Sequence, residues 1–482
     1  MGERFDLIVR NATVVDGTRA LRYQADVGVN GDRIARIGSL EKSSGKTEID
    51  AAGKVVSPGF IDAHTHDDRL MLSAPDMAPK ASQGVTTVVA GNCGVSLAPL
   101  VLGNRTAPPP LDLIGDTGWY RFPSFKSYVE ELENKPAATN AALLVGHTTL
   151  RVIAMKDLNK PANAKEIKQM QAAVEEALEA GAIGCSTGLY YEPARAAPTE
   201  EVIEVCRPLS ARKALYCTHM RDEGDHVIDS LEETFRIGRE LDVPVVVSHH
   251  KVVGTPNHGR SKETLPLIAK SMRSQAIGLD CYPYCASSTI LTADRAALAT
   301  KTLVTWSMPH PEFAGKDLAE VAKKMGVSQT EAANRLIPAG AIYFMMDEAD
   351  VQRVLSFEHT MVGSDGLPHD AAPHPRLWGT FPRVLGHYSR GLGLFPLETA
   401  VYKMTGLTAK TFGLKDRGVL KEGAYADLCL FDAATVDEAA TFARPIQPAK
   451  GIDTVITNGG IVWRGGKSTG ARPGQVLRRQ AA

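Results

Sequence analysis

The stretch GFIDAHTH, Gly59 to His66, decides how this chain is read. An apolar run of Val, Ile and Phe leads into it, so it reads as the end of a buried strand. Strand side chains alternate between faces, so His64 and His66 point the same way. Two imidazoles on one face can hold one metal ion. An isolated His-X-His is more often a pair of hydrogen-bonding histidines, so the weight comes from what recurs downstream.

Working outward, the chain alternates strands and helices. The expected strands are Val55–His64, Val85–Cys93, Ala141–His147, Ala182–Thr187, Ala214–His219, Val243–His249, Ala276–Tyr282 and Thr360–Asp365. Segments such as KEIKQMQAAVEEALEAG and DHVIDSLEETFRIGREL carry apolar residues at three- and four-residue spacing, which predicts helices between the strands. Eight such units predict an α/β fold, a (β/α)8 TIM-like barrel spanning residues 57–414 with its active site at the C-terminal strand ends. The long connection from Tyr282 to Thr360 holds its own helical stretches, DLAEVAKKMG and SQTEAANRLI. It predicts an inserted subdomain at about 286–347, near the barrel mouth. Residues 1–56 and 415–482 alternate apolar and polar positions with Gly and Asp at the turns. Neither end makes a domain alone, and together they predict one small β-sandwich.

The polar residues at the predicted strand ends form a set. Strand one ends in His64 and His66, strand two in Cys93, strand five in His219, strand six in His249 or His250, and strand eight in Asp365. Taken singly, Cys93 reads as a small buried hydrophobe and Asp365 as a turn residue before Gly366. Their coincidence on one barrel rim points to a metal. Thiolate and imidazole suit Zn²⁺, and a catalytic site keeps one position open.

Composition narrows the rest. The 482 residues are 44% hydrophobic and 23% charged with a net charge of -1, as in ordinary soluble proteins. There is no basic run, so nucleic acid and anionic membrane are not expected partners. The first residues, MGERFDLIVRN, lack a signal-peptide core. Seven cysteines at 93, 185, 206, 217, 281, 285 and 429 form no disulfide pattern, which predicts a reducing, cytoplasmic compartment. No pattern specifies an oligomeric state.

These motifs resemble the amidohydrolase superfamily, and the resemblance covers almost the whole chain. Many members carry a bridging, carboxylated Lys on strand four. Here strand four reads AIGCSTGLYYEP and offers none, while Cys93 stands after strand two. That substitution is similar to the N-acyl-D-amino-acid deacylases (D-aminoacylases), as are GNCG, STGLYYEP, THMRDEGD, SHHK, YPYCASST and GSDGLPHDAAPHPRLWGTFPRVLG. The resemblance implies that Cys93, His219 and His249 hold one tight zinc. It implies a second, weaker position at His64 and His66, with Cys93 as a bridge. It implies that His249, not His250, is the ligand of SHHK.

The implied reaction is hydrolysis of a small N-acyl amino acid, with Asp365 as general base. Arg376, in HPRLWG, is expected to pair with the substrate α-carboxylate. Lys251 and Tyr282 are expected at the scissile group or the carboxylate, with Tyr190 and Tyr191 walling the pocket. Arg221 is expected to pair with Asp222, Glu223 or another nearby acid. Arg295, in TADRAALA, reads either as an exposed Arg in the first turn of a helix or, as the resemblance implies, as the partner of an acidic substrate side chain such as that of N-acyl-D-glutamate, against a hydrophobic one. Three alternatives are weaker. A cyclic-amide hydrolase of hydantoinase or dihydroorotase type lacks its strand-four Lys here. A non-catalytic scaffold would be expected to have lost ligands. A redox protein would be expected to carry a CxxC.

Overall fold

The computed structural model describes residues 3–479. Eight short parallel strands run through the middle of the chain: β1 (Phe60–Asp62), β2 (Val85–Ala90), β3 (Asn140–Gly146), β4 (Gly184–Gly188), β5 (Leu215–His219), β6 (Val245–Val247), β7 (Ile277–Cys281) and β8 (Thr360–Val362). They hydrogen-bond in chain order from β1 to β8. Thr65 then bridges Gly366 in parallel, and the Asp365 N–H donates to the His64 carbonyl at 2.8 Å, closing the barrel. Every residue of β2, β3, β4 and β5 is buried, because helices cover the outside and side chains fill the inside. Ile61, Val89, Leu144, Ile183, Cys217 and Met361 pack together within one such buried cluster.

The covering helices are written locally. The helix Ala164–Ala180 starts at Asn163, whose side chain accepts from the Lys165 and Glu166 N–H groups, and it ends at Gly181 with φ 113°. Met170, Val174, Ala177 and Leu178 form its buried stripe.

Strand one differs from the sequence expectation. The run Val55–His64 is divided at Gly59 between two sheets. Val55–Pro58 pairs antiparallel with Leu428–Phe431, and Phe60 begins the barrel. A Cβ on Gly59 would lie 2.2 Å from Thr86 Cγ2, so only glycine lets the chain cross here. Strands from both chain ends join one nine-stranded sheet. It packs around Leu7, Val9, Val27, Ile49, Leu428 and Ile456. The last described residues leave this sheet: Val476 and Leu477 pair in parallel with Ala141 and Ala142 of β3.

Between β7 and β8 stands a three-stranded sheet of Ala286–Ile290, Ala339–Phe344 and Lys301–Ser307, carrying helices Leu318–Met325 and Gln329–Leu336. Its core of Val304, Leu318, Val321, Leu336 and Tyr343 is continuous with Tyr282 and Tyr284 after β7. Ser287, Ser288, Thr289 and Arg295 thereby reach the mouth of the barrel. Among the described residues, no helix is long and apolar enough to cross a membrane.

Candidate metal centre

The barrel brings the strand-end residues together. Donor atoms of His64, Cys93, His249 and Asp365 all lie within 4.8 Å of one another. Cys93 Sγ is 3.3 Å from His64 Nε2 and 3.3 Å from His249 Nε2. His66 Nε2 is 3.2 Å from Asp365 Oδ1. The His219 ring lies 4.5 Å from that of His249, centroid to centroid. His219, His249 and Glu223 form a second group of donors within 4.8 Å.

Three of these residues sit in left-handed backbone: Cys93 at φ 54°, His249 at 36° and Asp365 at 49°. Each such conformation costs a non-glycine residue about 1–3 kcal/mol and persists only where its surroundings impose it. The effect is to aim each side chain off its strand end and into the rim.

A layer of carboxylates stands behind the histidines. Glu223 Oε1 is 3.1 Å from His249 Nδ1 and 2.6 Å from Lys251 Nζ. Asp280 accepts from the His249 N–H at 3.0 Å, and its Oδ2 is 3.6 Å from His64 Nδ1. Such partners fix the imidazole tautomer and raise its donor strength. Below them, Asp62 accepts from the Ser364 N–H at 2.7 Å and from the His64 N–H at 3.3 Å. Lys80 Nζ is 2.8 Å from Asp62 Oδ2, 3.3 Å from Asp67 Oδ2 and 2.8 Å from Ser364 Oγ.

The electrostatics favour a cation. Burial alone would raise the Cys93 thiol, but the His64 and His249 imidazoles hold it well below its ordinary range. Burial would likewise raise Asp365, yet Arg376 and His249 hold its carboxyl well below the carboxylate range. Both His219 ring nitrogens and Glu223 Oε2 are buried without a hydrogen-bond partner among the described residues. Buried polar atoms are almost always paired, so thiolate, imidazoles and orphaned donors together fit a soft-to-borderline divalent metal. His250 is apart from this set: its Nε2 is 2.9 Å from Thr264 Oγ1, and burial lowers it to about 4, so it is neutral.

A cavity of about 450 Å³, counted to its open mouth, stands over the cluster. Its lining includes His66, Cys93, His219, His249 and Asp365, with Lys251, Arg295, Tyr191 and Tyr282 around them. Lys251 already has Glu223 as its partner. Arg295 is 6% exposed and has no carboxylate partner among the described residues: it donates to Ser287 Oγ at 3.3 Å and lies over the Tyr190 and Tyr343 rings at 5.1 and 5.4 Å. Arg376 lies behind the cavity wall. Its Nη1 is 3.0 Å from Asp365 Oδ2, and its Nη2 donates to the Ser288 carbonyl at 3.0 Å. Tyr191 Oη meets Thr289 Oγ1 at 2.9 Å, tying the rim to the insert. Tyr190 stacks on His219 at 5.6 Å. Arg221 pairs with Glu233.

Sequence reasoning missed Glu223 as an orienting group, along with Asp280, Asp62, Lys80 and Asp67. The available signal for Glu223 was its place four residues after His219, and for Asp280 its place at the end of a predicted strand.

The barrel and its cluster define a class. Residues 47–326 and 317–463 match the sequence profile of the amidohydrolase family, and the chain belongs to that family. Within it, the chain is 59% identical to the D-aminoacylase of Alcaligenes xylosoxydans xylosoxydans, covering 99% of this chain and 98% of the relative. It is 52% identical to the N-acyl-D-aspartate deacylase of the same organism, covering 98% and 95%. A crystal structure of D-aminoacylase superposes with a TM-score of 0.97 at 60% identity, covering 98% and 100%. The N-acyl-D-glutamate deacylase of Bordetella bronchiseptica, solved with zinc and a phosphonate mimic of the tetrahedral intermediate, gives 0.95 at 46% identity, covering 99% and 100%.

Proposed function

We propose that the protein hydrolyses N-acyl-D-amino acids to a D-amino acid and a carboxylic acid, with zinc as its metal. The observation that carries this reading is the Cys93, His64, His249 and Asp365 cluster beneath a cavity that also holds Lys251 and Arg295. The relatives' substrates support the N-acyl-D-amino-acid class, and the D-hand rests on them.

Cys93, His219 and His249 would hold the tight zinc, and His64 and His66 a weaker position sharing Cys93. Zinc there supplies the charge that lowers the pKa of a water and polarises the scissile carbonyl. Asp365, ionised and facing the cluster, takes a proton from the attacking water. As the water oxygen bonds to the carbonyl carbon and the C–N bond breaks, Asp365 passes that proton to the departing nitrogen. Arg376 keeps Asp365 ionised and aimed. Tyr282 and Lys251 contact the carbonyl side and the α-carboxylate, with Arg376 behind them, and Tyr191 walls the pocket. The seven unpaired cysteines fit a reducing cytoplasm.

Arg295 sets the side-chain preference. A buried guanidinium without a carboxylate partner is costly until a ligand carboxylate completes it, so acidic substrates such as N-acyl-D-glutamate or N-acyl-D-aspartate are preferred. Arg295→Met, assayed on N-acetyl-D-Glu and N-acetyl-D-Leu, is expected to lose activity on the first while keeping or raising it on the second. Equal loss on both substrates would make Arg295 structural.

A further inference from the structure

Cys93 is one of three candidate ligands held in left-handed backbone. It occupies the turn Gly91-Asn92-Cys93-Gly94, in which Gly91, Cys93 and Gly94 all have positive φ, at 82°, 54° and 74°. The turn is wedged between the ends of β3 and β4. A Cβ on Gly91 would lie 2.0 Å from the Leu144 carbonyl oxygen, and one on Gly188 would lie 2.1 Å from the Cys93 carbonyl oxygen. No bulkier residue at either place leaves room for the turn.

One side chain bridges the two ends of this turn. Ser186, on β4 and fully buried, accepts a hydrogen bond from the Gly94 N–H at 2.9 Å and donates its own hydroxyl proton to the Gly91 carbonyl. The hydroxyl thus satisfies the N–H of Gly94, just after Cys93, and the carbonyl of Gly91, two residues before it, stapling a four-residue loop across its mouth. On the other side the turn is tied to the barrel by Asn92, whose side-chain amide donates to the Val89 carbonyl at 2.9 Å. Asn92 holds the loop to its own strand; Ser186 holds it shut.

We propose that Ser186 is a positioning residue for the metal centre: its hydroxyl holds the Cys93 turn in the conformation that presents the thiolate, and thereby sets the metal affinity. The proposal rests on Cys93 being a zinc ligand. Ser186 itself touches neither ligand atoms nor the cavity lining. Its contribution is to pre-organise the loop before metal arrives, which is the role of groups that orient ligands from behind.

The test measures metal binding by the full-length protein rather than turnover. Zinc affinity is read by chelator competition, and cobalt(II) substitution is followed through its thiolate charge-transfer absorption. Ser186→Ala removes the partner of both backbone groups, and its zinc affinity is expected to fall roughly 10–100-fold with a weakened cobalt–thiolate band. Ser186→Thr keeps the hydroxyl and is expected to retain most of the affinity. If Ser186→Ala does not fold, the threonine variant carries the test alone. Wild-type affinity and band in Ser186→Ala, or a loss in the threonine variant as large as that expected for alanine, would overturn the proposal. A wild-type protein without any cobalt–thiolate band would instead remove Cys93 as a ligand, a separate failure.

Discussion

Lys80 carries a charge into the barrel wall where no water reaches. Lys80, Asp62 and Asp67 all have side chains 0% exposed, and Lys80 Nζ lies 2.8 Å from one carboxylate and 3.3 Å from the other. Lys80→Met keeps the length and removes the cation. Breaking a buried pair by deleting one partner costs about 3–5 kcal/mol, because the remaining charge is left uncompensated. With an unfolding entropy of about 2.1 cal/mol/K per residue, a chain of 482 residues has roughly 1 kcal/mol/K, so the melting temperature should fall by about 3–5 °C. The loss should depend on pH in a set direction. Burial has already pushed the Asp67 carboxyl up to about 6, with Lys80 opposing it. A raised carboxyl contributes stability that is complete below its unfolded value and fades as pH rises through the folded one. Without Lys80, burial and the Asp62 charge raise Asp67 further and the fading extends to higher pH. Calorimetry should therefore show the larger deficit at pH 8 and a smaller one at pH 5. A melting temperature like that of the wild type at pH 8, or the same deficit at both pH values, would refute this reasoning.

Two further substitutions probe the site directly. Asp365→Asn should keep its zinc, measured by atomic absorption, while kcat falls by roughly 10²–10⁴-fold, the range for a lost general acid–base. Glu223→Gln removes the carboxylate behind His249 and beside Lys251, and should weaken zinc roughly 10–100-fold in a chelator competition.

How much of this was legible in the sequence depends on how local each signal is. The strand ends were readable because each of these polar residues closes an apolar run, and a parallel barrel has to bring such ends to one rim. His64, Cys93, His219, His249 and Asp365 were found that way. The helices of the insert were readable from their periodicity. The split at Gly59 was missed although Ser57-Pro58-Gly59 interrupts the apolar run; that the chain crosses between two sheets there depends on Thr86 packing against Gly59. The return of Val476 and Leu477 to β3 was hidden for the same reason: two residues pairing with a strand over three hundred positions away leave no periodic trace. Glu223 and Lys80 were not read as site residues because a charged residue on a predicted helix or loop reads as a solvated face, and only the fold shows that both are buried. Arg376 was readable as a cation near strand eight, but not its position behind Asp365, which depends on where the following helix Arg376–Arg383 begins.

The most direct test of the account is turnover by zinc-loaded protein on N-acetyl-D-Glu, D-Asp, D-Leu and D-Met alongside their L forms. Hydrolysis of the D forms alone is expected, with the acidic pair fastest. No hydrolysis of any member by metal-loaded protein would contradict it.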